Sequence, residues 1–261
     1  MLCDYHIHST LSGDGSSSME EQVLACAQRG INKLCFTEHM DLGLPGGLFE
    51  TDLPRYWAEF QRAKALNLGP KLFLGLEMGY TGEVAEALLT SSKALPFDFL
   101  LLSRHTVGGL DPYDQALYFE GKSREFAARE YLEAVHRSVV SFPDYDAVAH
   151  IGYVFKFTGE RFPPLRHADA PDVMDAILLH LAQNGKALEL NTSRWNGEGM
   201  PGRDVFARFK ALGGEFVTLG SDAHDVGGVA KGFMDAAELI KSLGFRYLAS
   251  FEGRRLVMEG I

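Results

Sequence analysis

The 261-residue chain carries 35 acidic against 25 basic side chains, a formal net charge of −10, with 46% hydrophobic and 23% charged residues. That balance excludes a disordered chain and argues against a binder of long nucleic acid, which would show a basic face. It leaves room for a small anionic substrate, because bound cations can dominate a local field.

The elements follow one another in a regular order. Leu2 to His6 predicts a first strand, and Ser18 to Arg29 a helix, opened by the capping-box pair Ser18 and Glu21 and closed by Gly30. Lys33 to Thr37 predicts a strand, Pro54 to Asn67 a helix followed by Gly69, Lys71 to Leu76 a strand and Thr81 to Lys93 a helix. Phe97 to Leu102 is the fourth strand, with a long loop (Ser103 to Lys122) before the helix Ser123 to Ser141. Ala147 to Ala149 is the fifth, with a second long loop (His150 to Asp169) before the helix Pro171 to Asn184 and Gly185. Ala187 to Asn191, a helix Pro201 to Leu212 ending at Gly213, Phe216 to Gly220 and a helix Val229 to Leu243 complete the order. Pro54, Pro171 and Pro201 suit first-turn positions. Strand then helix, repeated, predicts a parallel sheet in a single domain over residues 1–261, and the two long loops are where function is expected.

No apolar stretch has the length needed to span a bilayer, and no basic-then-apolar leader opens the chain. Cys3, Cys26 and Cys35 are odd in number and lack C-x-x-C spacing, so they read as buried, reduced thiols of a cytoplasmic protein. Nothing in the sequence sets an oligomeric state.

The unusual polar residues collect at strand ends. His6 and His8 end the first strand, with Asp14 in the loop beyond. His39 follows the second strand, Glu77 the third, His105 the fourth, His150 the fifth, and Asp222 with His224 the seventh. An open sheet would spread these along a ridge. A closed α/β barrel gathers the carboxyl ends of its strands on one face, so the distribution favours a barrel. Side chains two apart on an extended segment share a face, so His6 with His8, and Asp222 with His224, can act as pairs. Imidazole with carboxylate suits zinc, manganese or iron. Six histidines and three carboxylates exceed the needs of one four-coordinate ion, so two or three divalent ions are expected, with Glu77 and Asp222 able to bridge. His136, His167 and His180, on helices or in a loop, read as ordinary polar groups. Glu38 and Asp41 read as supports for His39 or as solvated groups, and Asp4 as structural, near the barrel floor.

The segments "DYHIHSTLSGDG", "FTEHMD", "GLEMG", "SRHT", "AHIGY" and "GSDAH" resemble, in order, the motifs of the polymerase-and-histidinol-phosphatase (PHP) metallohydrolases. The resemblance runs from Asp4 to about Gly244. It is closest to the histidinol-phosphatase branch, through "LELNTS", "VTLGSDAH" and "YFEGKSREFAAREYLEAV". It implies an α/β fold, a distorted seven-stranded (β/α)7 TIM-like barrel with a trinuclear site. His6, His8, Glu77 and Asp222 would hold one ion, and Asp14, His39 and His224 a second. Glu77 as a bridge, with His105 and His150, would hold the third. Where this chain has Asp14 some members have histidine, which leaves the metal open, and Arg104 in "SRHT" departs from the commoner small residue.

The implied reaction is hydrolysis of a phosphate monoester, L-histidinol phosphate going to L-histidinol and inorganic phosphate in histidine biosynthesis, by a hydroxide bridging two ions. Asp222, His224 and Glu77 are the catalytic candidates, with Asp222 or a metal-bound water as proton donor to the leaving group. "GSDAH" lacks the second glycine of a nucleophile elbow, so no serine nucleophile is expected. Arg194 is the first candidate for the phosphate, then Arg161 and Lys156, while Arg104 serves either substrate or a salt bridge. Asn191 and Ser193 are placed to order Arg194 or a metal-bound water. The alternatives are a PHP-type phosphoesterase acting on a nucleotide or oligonucleotide, a C–N hydrolase of the amidohydrolase kind, and an inactive metal-binding scaffold. No lysine stands at a strand end as the amidohydrolase reading requires, and the ligand set is too complete for a degenerate domain.

Overall fold

The computed structural model describes residues 2–261. Seven strands form one sheet in chain order, every neighbouring pair parallel: β1 (Cys3–Ile7), β2 (Lys33–Met40), β3 (Lys71–Gly79), β4 (Phe99–Ser103), β5 (Ala147–Val148), β6 (Ala187–Asn191) and β7 (Val217–Gly220). Helices α1 (Met19–Gln28), α2 (Leu53–Ala65) and α3 (Ala85–Ser91) connect the first four strands. A short α4 (Gln115–Tyr118) and the long α5 (Arg124–Ser141) lie between β4 and β5. Then come α6 (Pro171–Gln183), α7 (Arg203–Ala211) and α8 (Phe233–Ser242), and the chain ends in an antiparallel hairpin, β8 (Tyr247–Glu252) with β9 (Arg255–Gly260).

The seam between β1 and β7 nearly closes the sheet into a barrel. Asp222 N donates to His6 O at 2.7 Å and His8 N to Ala223 O at 2.9 Å, and Ile7 pairs with Ala223. The buried Asp4 carboxylate accepts from Ser221 N at 3.0 Å and from His6 N at 3.3 Å, a structural role in which it ties the seam.

Pairing of β1 with β2 steps from Asp4–Leu34 to Ile7–Phe36, three residues' advance on one strand against two on the other. This β-bulge reverses the inward–outward alternation. Tyr5 therefore joins the interior cluster with Phe73, Phe99 and Phe251, donating its O–H to Phe251 O at 2.8 Å. His6 also turns inward, where an unbroken strand would put the two on opposite faces.

The hairpin, absent from the strand–helix repeat read in the sequence, plugs the amino-terminal end of the barrel. Ala249 and Phe251 pack among Cys3, Tyr5, Cys35, Phe99 and Ala147. Lys33 bridges Glu252 and Glu259 at 2.9 and 2.5 Å, and Arg254 bridges Asp144 and Asp146 at 3.0 and 2.5 Å. With one end sealed by apolar rings, polar chemistry is left to the other.

Other boundaries differ in ways that matter. β2 and β3 run longer than expected, so His39 and Glu77 are held inside strands. Pro54 and Pro171 occupy first turns, but Pro201, after a cis peptide, precedes α7, which begins at Arg203. A 3-10 turn at Gly82–Val84 precedes α3, and α8 starts at Phe233, after a left-handed Gly232. The Ser18–Glu21 capping box forms. All three cysteines are buried and free. Among the described residues, no helix is long and apolar enough to cross a membrane.

Candidate metal centre

Nine side chains singled out at strand ends meet at the carboxyl end of the barrel. Donor atoms of His6, His8 and Asp222 lie within 4.8 Å of one another, as do those of His6, Glu77 and His150, of His39, Glu77 and His105, and of His8, His39 and His224. Asp14 joins through His224 Nε2 at 3.1 Å and His39 Nε2 at 3.6 Å.

Glu77 is the hub. Its Oε2 lies 3.3 Å from His6 Nε2, 3.5 Å from His8 Nε2 and 3.0 Å from His39 Nδ1. Its Oε1 faces His150 Nε2 at 2.9 Å and His105 Nε2 at 3.2 Å. A carboxylate that offers its two oxygens to two sets of imidazoles has the arrangement of a bridging ligand. Asp222 Oδ1 stands 3.7 Å from His6 Nε2 and 3.5 Å from His8 Nε2. Asp222 adopts a left-handed φ of 53°, a strained conformation for a non-glycine residue that the surrounding seam holds in place.

The other ring nitrogens are fixed from outside. His6 Nδ1 meets Glu189 Oε1 at 2.6 Å, and His105 Nδ1 meets Asp41 Oδ1 at 2.6 Å. His8 Nδ1 pairs with Ser12 Oγ at 3.1 Å, and that hydroxyl donates to Glu38 Oε2 at 2.6 Å. His224 Nδ1 pairs with the Asp222 carbonyl at 2.9 Å. Each contact places the proton on Nδ1 and turns Nε2 inward as an acceptor, the standard outer support of a metal-ligating histidine. Glu38 and Asp41 are therefore buried supports, not solvated groups. Glu189 was not singled out in the sequence. It also accepts from His150 N at 2.7 Å and from Asn191 Nδ2 at 3.2 Å.

The donor set fits divalent ions. The nitrogens of His6 and His8 face each other at 3.1 Å. With the 3.3–3.7 Å contacts to Glu77 and Asp222, these spacings match the edges of a tetrahedron of ligands, about 3.4 Å for bonds near ~2.1 Å. Glu77 Oε2, His39 Nδ1 and His224 Nε2 are buried with close ion-pair contacts but no well-formed hydrogen bond, a condition that ligation relieves. The electrostatics agree. Burial opposes charge on Glu77, yet His6, His39 and His105 hold its carboxyl well below the usual range. Burial likewise opposes charge on His6, but Glu189, Glu77 and Asp222 hold its imidazole well above the ordinary value. Burial, then His224 and His39, push His8 well below its ordinary value, leaving a neutral ring with a free lone pair. The pocket is built to receive positive charge.

The cluster opens into a cavity of about 550 Å³ whose lining includes Lys156, Arg194, Asp111, Tyr113, Tyr153 and Phe157. Lys156 Nζ donates to Asp222 Oδ2, and Arg194 lies 5.4 Å from the Phe157 ring centre. Two of the four expected phosphate cations do not line this cavity. Arg104 precedes the inward His105 on an extended segment, so it points the other way and donates to Tyr80 O at 2.7 Å. Arg161 is held over the rings of Phe119 and Phe162, at 5.3 and 5.0 Å. Asn191 and Ser193 serve a different group from the one expected. Ser193 Oγ donates to Asn191 Oδ1 at 2.6 Å, and Asn191 Nδ2 donates to Asp222 Oδ2 at 3.2 Å.

Residues 4–193 match the PHP domain family. A histidinol-phosphatase of Lactococcus lactis subsp. lactis is 34% identical over 256 residues, covering 97% of this chain and 95% of that protein. A probable histidinol-phosphatase of Thermotoga maritima is 29% identical and covers 98% of each chain. The crystal structure of a Lactococcus lactis histidinol phosphate phosphatase complexed with zinc, L-histidinol and phosphate has a TM-score of 0.87 at 32% identity, covering 98% of each chain. Order of motifs, barrel and histidine–carboxylate centre thus agree, and the chain belongs to the PHP domain family.

Proposed function

We propose that this chain is a metal-dependent phosphomonoesterase that converts L-histidinol phosphate to L-histidinol and inorganic phosphate, as a cytoplasmic enzyme of histidine biosynthesis. The observation that carries the reading is the shared hub: Glu77 offers one oxygen to His6 and His8 and the other to His105 and His150, beneath a cavity with two cations in its wall. Likeness over nearly the full length to a phosphatase crystallised with L-histidinol and phosphate supports the choice of ester.

His6, His8, Glu77 and Asp222 would hold one ion, Asp14, His39 and His224 a second, and Glu77 with His105 and His150 a third. Bound there, divalent ions supply a water that ionises near neutral pH and offset charge on the phosphoryl oxygens. The chain's own groups do the rest. Arg194 and Lys156 neutralise and orient the phosphate. Asn191 and Lys156 hold the ionised Asp222 carboxylate at the cavity wall, where it can take the proton that the attacking water loses and relay it to the departing alkoxide. His224, fixed through Nδ1, keeps Nε2 toward Asp14. Glu189 and Asp41 keep His6 and His105 in one tautomer. No side chain is required to form a bond to phosphorus.

The test is phosphate release by metal-reconstituted enzyme from histidinol phosphate and a panel of nucleotides. The reading expects histidinol phosphate to lead in kcat/KM by a hundredfold or so, the scale on which polar recognition separates substrates. Brisk cleavage of a nucleotide beside weak turnover of histidinol phosphate would establish the nucleotide alternative instead.

A further inference from the structure

Building on that reading, we propose that Asp111 recognises the nitrogen-bearing end of the substrate by accepting a hydrogen bond from a cationic N–H, and that Tyr153 positions it. The loop after β4 makes a tight turn in which Val107 pairs with Leu110 across Gly108 and Gly109, both at positive φ. The turn delivers Asp111 to the cavity wall. There Oδ1 accepts from Tyr113 N at 2.8 Å and from the Tyr153 hydroxyl at 3.0 Å. Both of these hydrogen bonds fall on Oδ1, and Oδ2 takes part in neither.

Tyr153 is buried, with its ring centre 4.9 Å from that of His105 and 5.3 Å from that of His150. One rigid side chain thus registers the Asp111 carboxylate against the metal centre. Lys156 Nζ lies 5.8 Å from the same ring centre. Lys156 and Arg194 lie 5.5 and 5.4 Å from the Phe157 ring centre, so the cavity lining holds both the cations for a phosphate and the half-buried Asp111 carboxylate within one aromatic frame. The other carboxylates at the cavity are differently engaged: Asp14 with His39 and His224, Asp41 with His105, Asp222 with Lys156 and Asn191, and Asp225 Oδ1 with the amides of Gly227 and Gly228. A simple phosphate ester offers Asp111 nothing. Histidinol phosphate offers an ammonium and an imidazole, either of which can make a charge-assisted hydrogen bond to that carboxylate.

The experiment compares wild type with Asp111→Asn on four esters: histidinol phosphate, O-phosphoethanolamine, 2-(imidazol-4-yl)ethyl phosphate and phenyl phosphate. Asparagine keeps an oxygen for Tyr113 and Tyr153, so the loop is retained. The expected result is a loss of roughly 10- to 100-fold in kcat/KM on histidinol phosphate, carried mainly by KM, and less than about threefold on phenyl phosphate. The two intermediate esters locate the contact, since the loss follows the ammonium or the imidazole, whichever Asp111 meets. Tyr153→Phe should give the same selective pattern in smaller degree. Equal losses on all four esters, no loss on any, or a selective loss in Asp225→Asn with none in Asp111→Asn would overturn the proposal. Wild-type turnover of histidinol phosphate in the same series tests the parent function separately, because selectivity at Asp111 is still read from O-phosphoethanolamine or the imidazole ester against phenyl phosphate.

Discussion

A histidine becomes a dependable ligand when its second nitrogen is held, and here Glu189, Asp41, Ser12 and the Asp222 carbonyl do the holding. Glu189→Gln exchanges an anionic acceptor for a neutral one and frees His6 to change tautomer. Activity and zinc affinity should each fall about 10- to 100-fold, measured by phosphate release and by competition with a chelating dye. His8→Ala or Asp222→Ala should abolish turnover while the far-UV circular dichroism stays unchanged, and full activity in either would refute the ligand assignment. These residues differ in how visible they are in the sequence. Six histidines are conspicuous because each stands just after an apolar run. Glu189 is hidden because it lies inside one, flanked by Leu188 and Leu190. The available signal was its spacing of two from Asn191, which puts both polar groups on the inner face. Arg104 and Arg161 show the converse: charge and loop position say nothing about where a long side chain points.

At the level of elements, two devices decide what the site can be. The bulge in β1 aligns Tyr5 with the apolar plug and His6 with the polar centre, and alternation in the sequence cannot reveal it because bulges break alternation. The β8–β9 hairpin seals the opposite end. Its strands were not legible because the strand–helix rhythm ends before them and four of the six β9 residues are exposed. Phe251, nearly fully buried against Tyr5 and Phe99, makes its contribution measurable. Phe251→Ala should cost about 3–5 kcal/mol in chemical denaturation. A second link joins α6 to α7, where Asp175 takes both arms of Arg208 at 2.8 and 2.6 Å and His167 at 2.7 Å. Arg208 first, and then His167 against some burial, lower the Asp175 carboxyl from 3.8 to about 2. Because the folded value lies below the unfolded one, this stabilisation is complete above about pH 5 and is lost as pH falls toward 2. Arg208→Ala should flatten the fall in melting temperature over that window, and an unchanged acid profile would show that the pair adds nothing.

For the molecule as a whole, a ring of parallel strands gathers ligands from six of its seven strands or the loops after them, and no one segment forms the centre alone. Folding and metal binding are therefore linked. Removing the ions with a chelator should lower the melting temperature by several degrees, on the order of 5–10 °C for a domain of this size, and abolish turnover. Added zinc or manganese should restore both. The same dependence explains why strand order and site residues could be read together: separation along the chain is large, but every contributor sits at the same end of its strand. The most direct test is anomalous X-ray scattering from crystals of the purified protein, collected at the zinc, iron and manganese edges. Two or three peaks are predicted around Glu77, each about 2.0–2.3 Å from nitrogen or oxygen atoms of His6, His8, Asp14, His39, His105, His150, Asp222 and His224. A metal-replete crystal with no peak there, or with its ions bound elsewhere, would contradict the account.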